Sequence, residues 1–142
     1  MNRDMLYQVA LTMVPQIGDV HAASLLQHFE TAEEIFSAGR RVLDKIPGIG
    51  PVRSKSIRSF KDFSKAEKEL DFTRKYGIQV LYRNHPGYPK RLLHCYDAPS
   101  LLYYKGNADI NTSRILAIIG TRNHTGYGRE ITGHIIRELA PY

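Results

Sequence analysis

Cysteine is almost absent from this chain: Cys95 is the only one in 142 residues. No internal disulfide can form, and a reducing cytoplasm fits. Long apolar runs are also missing, and none approaches the roughly 20 residues that span a bilayer. The opening Met1-Asn-Arg-Asp lacks a signal-peptide pattern, so no membrane association is expected. Catalytic signatures are equally thin. Serines and histidines are scattered, and no Ser-His-Asp set assembles by spacing. His85, His94 and Cys95 match no zinc pattern, and neither G-x-G-x-x-G nor a Gly-Lys-Ser/Thr phosphate loop occurs. His94 and Cys95, beside Leu92 and Leu93, read as packing residues, and Asp97 before Ala98-Pro99 reads as a turn residue. The expectation is a protein that is not an enzyme and holds neither metal nor cofactor.

Positive charge is what the chain has in excess. Twenty Lys and Arg face fourteen Asp and Glu, a net charge of +6 with histidine neutral. The apolar fraction of 42% is enough for a folded core, so the charge does not signal disorder. An anionic partner is favoured, nucleic acid before membrane, although a basic surface without a partner would give the same count.

The first half carries helical periodicity. Leu6, Val9, Ala10 and Met13 share one face of a helix that Pro15-Gln-Ile17-Gly18 breaks. A second helix, with Asp19 as its expected cap, carries Ala22, Leu25, Leu26 and Phe29. Thr31-Ala-Glu-Glu34 is a capping box for a short helix that Gly39 is expected to close. Val42, Leu43 and Ile46 then lead to Pro47-Gly48-Ile49-Gly50, followed by a helix with Ile57 and Phe60. Pro15-Gln16-Ile17-Gly18 and Pro47-Gly48-Ile49-Gly50 differ at one position, and each lies between two helices. The second copy has the form of a helix-hairpin-helix turn. Gly48 and Gly50 permit positive φ and let backbone meet a phosphate, Ile49 plugs the hairpin into the core, and Lys45, Arg53, Lys55 and Arg58 flank it. The first copy, with Gln16 in place of a glycine, reads as a degenerate partner. Phosphate contact and a plain turn or protein-docking role both remain open for this hairpin. The interleaved charges from Lys61 to Lys75 read as a solvated helix face.

Phe63, Ala66 and Leu70 predict a connecting helix ended by Tyr76-Gly77. Ile78–Tyr82 and Leu101–Tyr104 then read as strands, with the rigid loop His85-Pro-Gly-Tyr-Pro89 and a turn of helix at Leu92 and Leu93 between them. The predicted domains are a helical one over 1–76 and an α/β one over 77–142.

Within the second domain, Ile115 to Ile119 is apolar throughout and is expected to be a strand buried on both faces of a parallel sheet. Gly120 ends it, and Gly126 and Gly128 precede a helix with Ile131, Ile135 and Leu139. A strand, a glycine-rich turn and a helix N-terminus place unpaired N–H groups at one spot, which attracts phosphate. Arg122 in that turn offers a guanidinium fork for a charged polymer or phosphorylated ligand. Three strands and one full helix cannot cover both faces of a parallel sheet, so the segment reads as the first part of a larger domain. Its open sheet edge would pair with a second copy, as in a homodimer, or leave the region partly mobile.

The helix-hairpin-helix, Tyr88-Pro89 with Leu92-Leu93, Asp97-Ala98-Pro99, the Leu-x-Tyr-x-Lys-Gly strand ending at Gly106, Ile118-Ile119-Gly120-Thr121-Arg122 and Tyr127-Gly128 occur in one order. Together they resemble the DNA-processing family DprA, also called Smf. The resemblance implies a SAM-like helical domain followed by a Rossmann-like domain, in the bacterial cytoplasm. It implies single-stranded DNA binding, protection of incoming DNA in natural transformation, and loading of the RecA recombinase. The family's Gly-Ser/Thr-Arg motif falls on Gly120, Thr121 and Arg122. The rest of the DNA pocket, and the surfaces that contact RecA and a second subunit, would lie mainly beyond Tyr142. Two other readings stand beside this one. The chain could be the front half of a Rossmann-like enzyme acting on a nucleotide or phosphorylated small molecule, which would have no need of the basic hairpin. Its helical domain could instead only dock another protein.

Overall fold

Apolar residues three and four apart become the buried faces of short helices, as the periodicity requires. In the computed structural model, which describes residues 3–141, the chain forms two compact units that divide between Asn111 and Thr112. The first holds α1 (Arg3–Leu11), α2 (Asp19–His28), α3 (Ala32–Ser37), α4 (Arg40–Leu43), α5 (Gly50–Ser59), α6 (Ser64–Lys75), β1 (Gln79–Tyr82) and β2 (Leu101–Tyr104). The second holds α7 (Gly126–Leu139).

Two apolar clusters organise the first unit. Leu11, Val14, Leu25, Ile35, Leu43 and Ile57 form one, together with both hairpin isoleucines, Ile17 and Ile49. Val9, Ala10, Ala66, Leu70 and Val80 form the other. Phe36 and Phe60 touch both clusters, and with Tyr7 and Phe63 they make a set of tilted and edge-on ring pairs 5.3–5.9 Å apart. Each fully buried Leu or Ile contributes about 1.5–3 kcal/mol relative to its exposed state.

Local signals are realised with some exchange of partners. Thr31 Oγ1 accepts from Glu34 N–H, but Glu34 answers to the N–H of Glu30, not of Thr31. Asp4 from α1 adds a second cap to α3, accepting from Ala32 N–H at 2.7 Å. Gly39 precedes α4 as its N-cap, and α3 ends at Ser37 with Ala38 as its C-cap. Asp19 does not cap α2. Gly18 takes that position, and the Asp19 carboxylate accepts from Ser100 N–H at 2.7 Å. At the end of α6, Gly77 adopts φ +63° while the N–H of Ile78 reaches the Thr73 carbonyl and that of Gly77 the Arg74 carbonyl. These are the paired bonds of a Schellman cap.

The repeated hairpins adopt matching backbones at their second position. Gln16 has φ +68° and Gly48 φ +81°, so the non-glycine copy is held in a conformation that L side chains disfavour. Arg53 joins the two copies. Its Nε donates to the Gln16 carbonyl at 3.1 Å, and a terminal guanidinium nitrogen donates to the Gly48 carbonyl at 3.0 Å. The planar fork of arginine suits two acceptors side by side.

The expected parallel sheet is not what these strands make. β1 and β2 pair antiparallel, with Val80 opposite Tyr103 and Leu81 opposite Leu102. The connection between them holds no crossover helix, only a turn at His85–Tyr88 and a 3-10 turn at Lys90–His94, so the chain doubles back on itself. Val80 and Leu101 pack against the helical cluster, and Tyr88, buried, donates its hydroxyl to the Pro99 carbonyl at 2.6 Å. Burial raises the Tyr88 pKa above its ordinary value. Residues 77–111 therefore pack as part of the first unit, on the helical bundle.

Ile115–Ile119 is likewise not a strand. It has no regular secondary structure and is exposed, with Ile119 at 93%. The second unit has no strand among the described residues to supply a ladder.

Three substitutions test this account. Tyr88→Phe leaves the Pro99 carbonyl without its donor and should lower stability by about 1–2 kcal/mol in urea unfolding. A Cβ at Gly50 meets nothing within 4 Å, so Gly50→Ala should cost only the backbone penalty of φ +58°, about 1 kcal/mol. Gln16→Gly should stabilise by about 0.5 kcal/mol, the released strain exceeding the added freedom of the unfolded chain. A loss of stability from Gln16→Gly would mean that its side chain, and not the hairpin, sets this conformation.

Candidate nucleic-acid interface

Hairpin 47–50 is built backbone outward. Ile49 is buried and seats the turn in the core, so its contribution is anchorage and its side chain is not available to a ligand. Ser24 Oγ on α2 donates to the Pro47 carbonyl at 3.0 Å, and Arg53 occupies the Gly48 carbonyl. The acceptors of the turn are thereby engaged from inside. Of its donors, Ile49 N–H reaches the Ile46 carbonyl at 3.0 Å, whereas the N–H groups of Gly48 and Gly50 have no partner among the described residues. Both glycines are at positive φ, and no side-chain cap covers the start of α5. Free N–H groups of positive-φ glycines at a helix start can receive an anion.

Charge around the hairpin has the matching sign. Lys45, Lys55 and Arg58 are exposed and make no ion pair among the described residues. Arg53 was counted with these flanking cations from sequence, but its hydrogen bonds go to the protein's own carbonyls. It adds positive potential to the site and sets its shape. The degenerate hairpin lacks this equipment: Gly18 has φ −101°, and its N–H is turned to His21 Nδ1 at 3.4 Å. The Arg53 bridge was missed from sequence. The repeat register, which aligns Gln16 with Gly48, was the signal that could have suggested one side chain serving both.

The second unit carries the other predicted group. Gly120, Thr121 and Arg122 lie in an exposed turn, where Thr121 Oγ1 donates to the Asn123 carbonyl at 2.9 Å. Thr125 caps α7 by accepting from Gly128 N–H at 3.1 Å. The N–H groups of Gly126 and Tyr127 have no partner among the described residues. Gly120, Gly126 and Gly128 do not use positive φ; Gly120 and Gly126 have nothing within 4 Å of a built Cβ, and Gly128 meets only the capping Thr125 hydroxyl. Arg122, His124 and Arg129 put basic side chains on or beside the turn. Gly120, Thr121, Arg122, Gly126 and Gly128 are thus gathered in the second unit, and Gly48, Ile49, Gly50 and Lys55 in the first. Among the described residues no helix is long and apolar enough to cross a membrane.

The matches to known families divide the chain at a different place, within the first unit. Residues 9–69 match the helix-hairpin-helix motif, and residues 79–142 match the family described as DNA recombination-mediator protein A. The chain is 28% identical over 142 residues to Protein Smf of Synechocystis, an alignment covering 97% of this chain and 36% of that protein. It is 32% identical over 78 residues to the DNA processing protein DprA of Bacillus subtilis, covering 54% of this chain and 26% of that one. A DNA ligase of Thermotoga petrophila is 33% identical over 67 residues, 47% of this chain and 10% of the ligase. No solved structure matches significantly. The chain spans about a third or less of the length of these relatives. With the hairpin geometry in the first unit and the mediator match over 79–142, the chain is similar to the DprA (Smf) DNA-processing proteins over part of their length.

Proposed function

We propose that this chain is a DNA-handling part of a bacterial recombination mediator, a non-enzymatic protein that binds single-stranded DNA in the cytoplasm. It would protect incoming DNA during natural transformation and present it to the RecA recombinase, working as a homodimer. One observation carries the reading: the free N–H groups of Gly48 and Gly50 beside Lys45 and Lys55, in a chain similar to the DprA proteins. The alternative of an enzyme acting on a nucleotide is not favoured, since residues 79–142 match a recombination-mediator family and one relative is named a DNA processing protein.

Work is divided between the two predicted domains, 1–76 and 77–142. The hairpin, seated by Ile49 and flanked by Lys55, grips phosphates without reading bases. Gly120, Thr121 and Arg122, with the helix start at Gly126 and Gly128, hold a further stretch of backbone. The apolar segment Ile115–Ile119 fits a strand covered on both faces, as in a Rossmann-like sheet.

Fluorescence anisotropy with matched single- and double-stranded oligonucleotides at two salt concentrations tests the reading. The full chain should prefer the single strand, and a version ending at Asn111, which keeps the first unit whole, should lose that preference but retain salt-sensitive binding. No binding by the full chain would overturn the proposal. Arg122→Ala should weaken single-strand binding about tenfold and lower the slope of log K against log salt by about 1. Arg122 is exposed, so the fold should be unaffected. Unchanged affinity would remove Arg122 from the interface.

A further inference from the structure

A groove of about 620 Å³ opens beside the basic hairpin, between α2, Pro47-Gly48 and the segment that carries Leu93 to Tyr96. That volume falls within the roughly 300–1,000 Å³ typical of small-ligand sites, enough for one or two nucleotides. Three features point to what it holds. Its lining includes Arg83, His21 and His94 and, among the described residues, no Asp or Glu. Gly48, whose N–H has no partner among the described residues, is part of its wall. Tyr96 at its margin is 83% exposed, an aromatic face presented to solvent where burial would ordinarily be favoured.

Cation, free backbone donor and open aromatic face are the three elements of a single-strand binding surface. A base inside a duplex is already stacked on both faces and cannot use the tyrosine, whereas an unpaired base can. We infer that this groove is a single-strand subsite: a phosphate sits against the Gly48 end of the hairpin, and the neighbouring unpaired base stacks on Tyr96. The surrounding loop is held for that role. Arg83 donates to the Ala98 carbonyl at 3.2 Å, and the N–H of Ser100, two residues on, is fixed by Asp19 at the start of α2. The hairpin then engages DNA where a single strand leaves it. This goes beyond phosphate gripping by the hairpin and rests on the DNA-binding reading above.

Cys95, the only cysteine of the chain, lines the same groove and is exposed, so its alkylation rate reports occupancy. The experiment compares maleimide labelling of Cys95 in the full chain, free and with saturating oligonucleotide followed by anisotropy. The oligonucleotides are a blunt duplex and the same duplex with a short 2-aminopurine-containing overhang. At an excess of about ten times Kd roughly a tenth of the protein stays free, so the overhang substrate should slow labelling about tenfold while the blunt duplex should not. Tyr96→Ala should weaken overhang binding about tenfold and abolish the quenching of 2-aminopurine, and Tyr96→Phe should restore both. Overhang binding that leaves Cys95 labelling unchanged would overturn the subsite while leaving the DNA-binding reading intact, as would binding and quenching insensitive to Tyr96→Ala. Absence of any oligonucleotide binding would overturn both. Equal protection by blunt and overhang DNA would make the groove a duplex contact and overturn the single-strand assignment.

Discussion

A single guanidinium holds the two hairpins of this protein in register. Arg53 satisfies the carbonyls of Gln16 and Gly48, equivalent atoms of a repeated turn, from a position on α5. Both turns depend on it differently. The degenerate hairpin keeps a left-handed residue that glycine would tolerate better, and a bond to its carbonyl helps to hold that conformation. The basic hairpin has its Pro47 and Gly48 carbonyls engaged by Ser24 and Arg53, while the N–H groups of Gly48 and Gly50 have no partner among the described residues. A lysine in place of Arg53 would present one charged tip to two acceptors and could not match them as a fork does.

Packing beneath the hairpins gives this polarity its rigidity. Ile17 and Ile49 are sunk in one apolar cluster, so each turn is fixed at its centre while its backbone edges stay at the surface. Phosphate recognition by backbone N–H groups needs such an anchored support, because a mobile turn would lose the ordering entropy again on binding. The strand pair contributes from the other side. Val80 and Leu101 lie on the second cluster, and the Asp19–Ser100 bond ties the start of β2 to the first turn of α2. The groove beside Gly48 exists because this non-helical segment folds back onto the helical bundle and brings Arg83 and Tyr96 to it.

The second unit shows the opposite situation. Ile115, Leu116, Ile118 and Ile119 are exposed, and α7 buries none of its residues, although Ile131, Ile135 and Leu139 share a face. Its local structure is nonetheless specified, because the Thr125 cap and the bonds within α7 need no tertiary neighbour.

Sequence by itself determined what short-range physics controls. Periodicity located α1, α2, α5 and α6, the Tyr76-Gly77 stop became a Schellman cap, and the Pro-x-Ile-Gly repeat gave two hairpins with buried isoleucines. Gly48 and Gly50 were legible as positive-φ residues because few other residue types accept that conformation. Tertiary structure decided the rest. Asp19 looks like a cap, and only the fold brings Ser100 within reach of it, 81 residues away. Leu101–Tyr104 reads as a strand in any sheet, and its antiparallel pairing with β1 depends on a connection too poor in helix to cross over. Arg53 reads as one more flanking cation, and its bridge to Gln16 spans 37 residues. Strand direction, bridge partners and the groove at Tyr96 are long-range matters, set by which surfaces meet when the clusters close, and no local pattern encodes them.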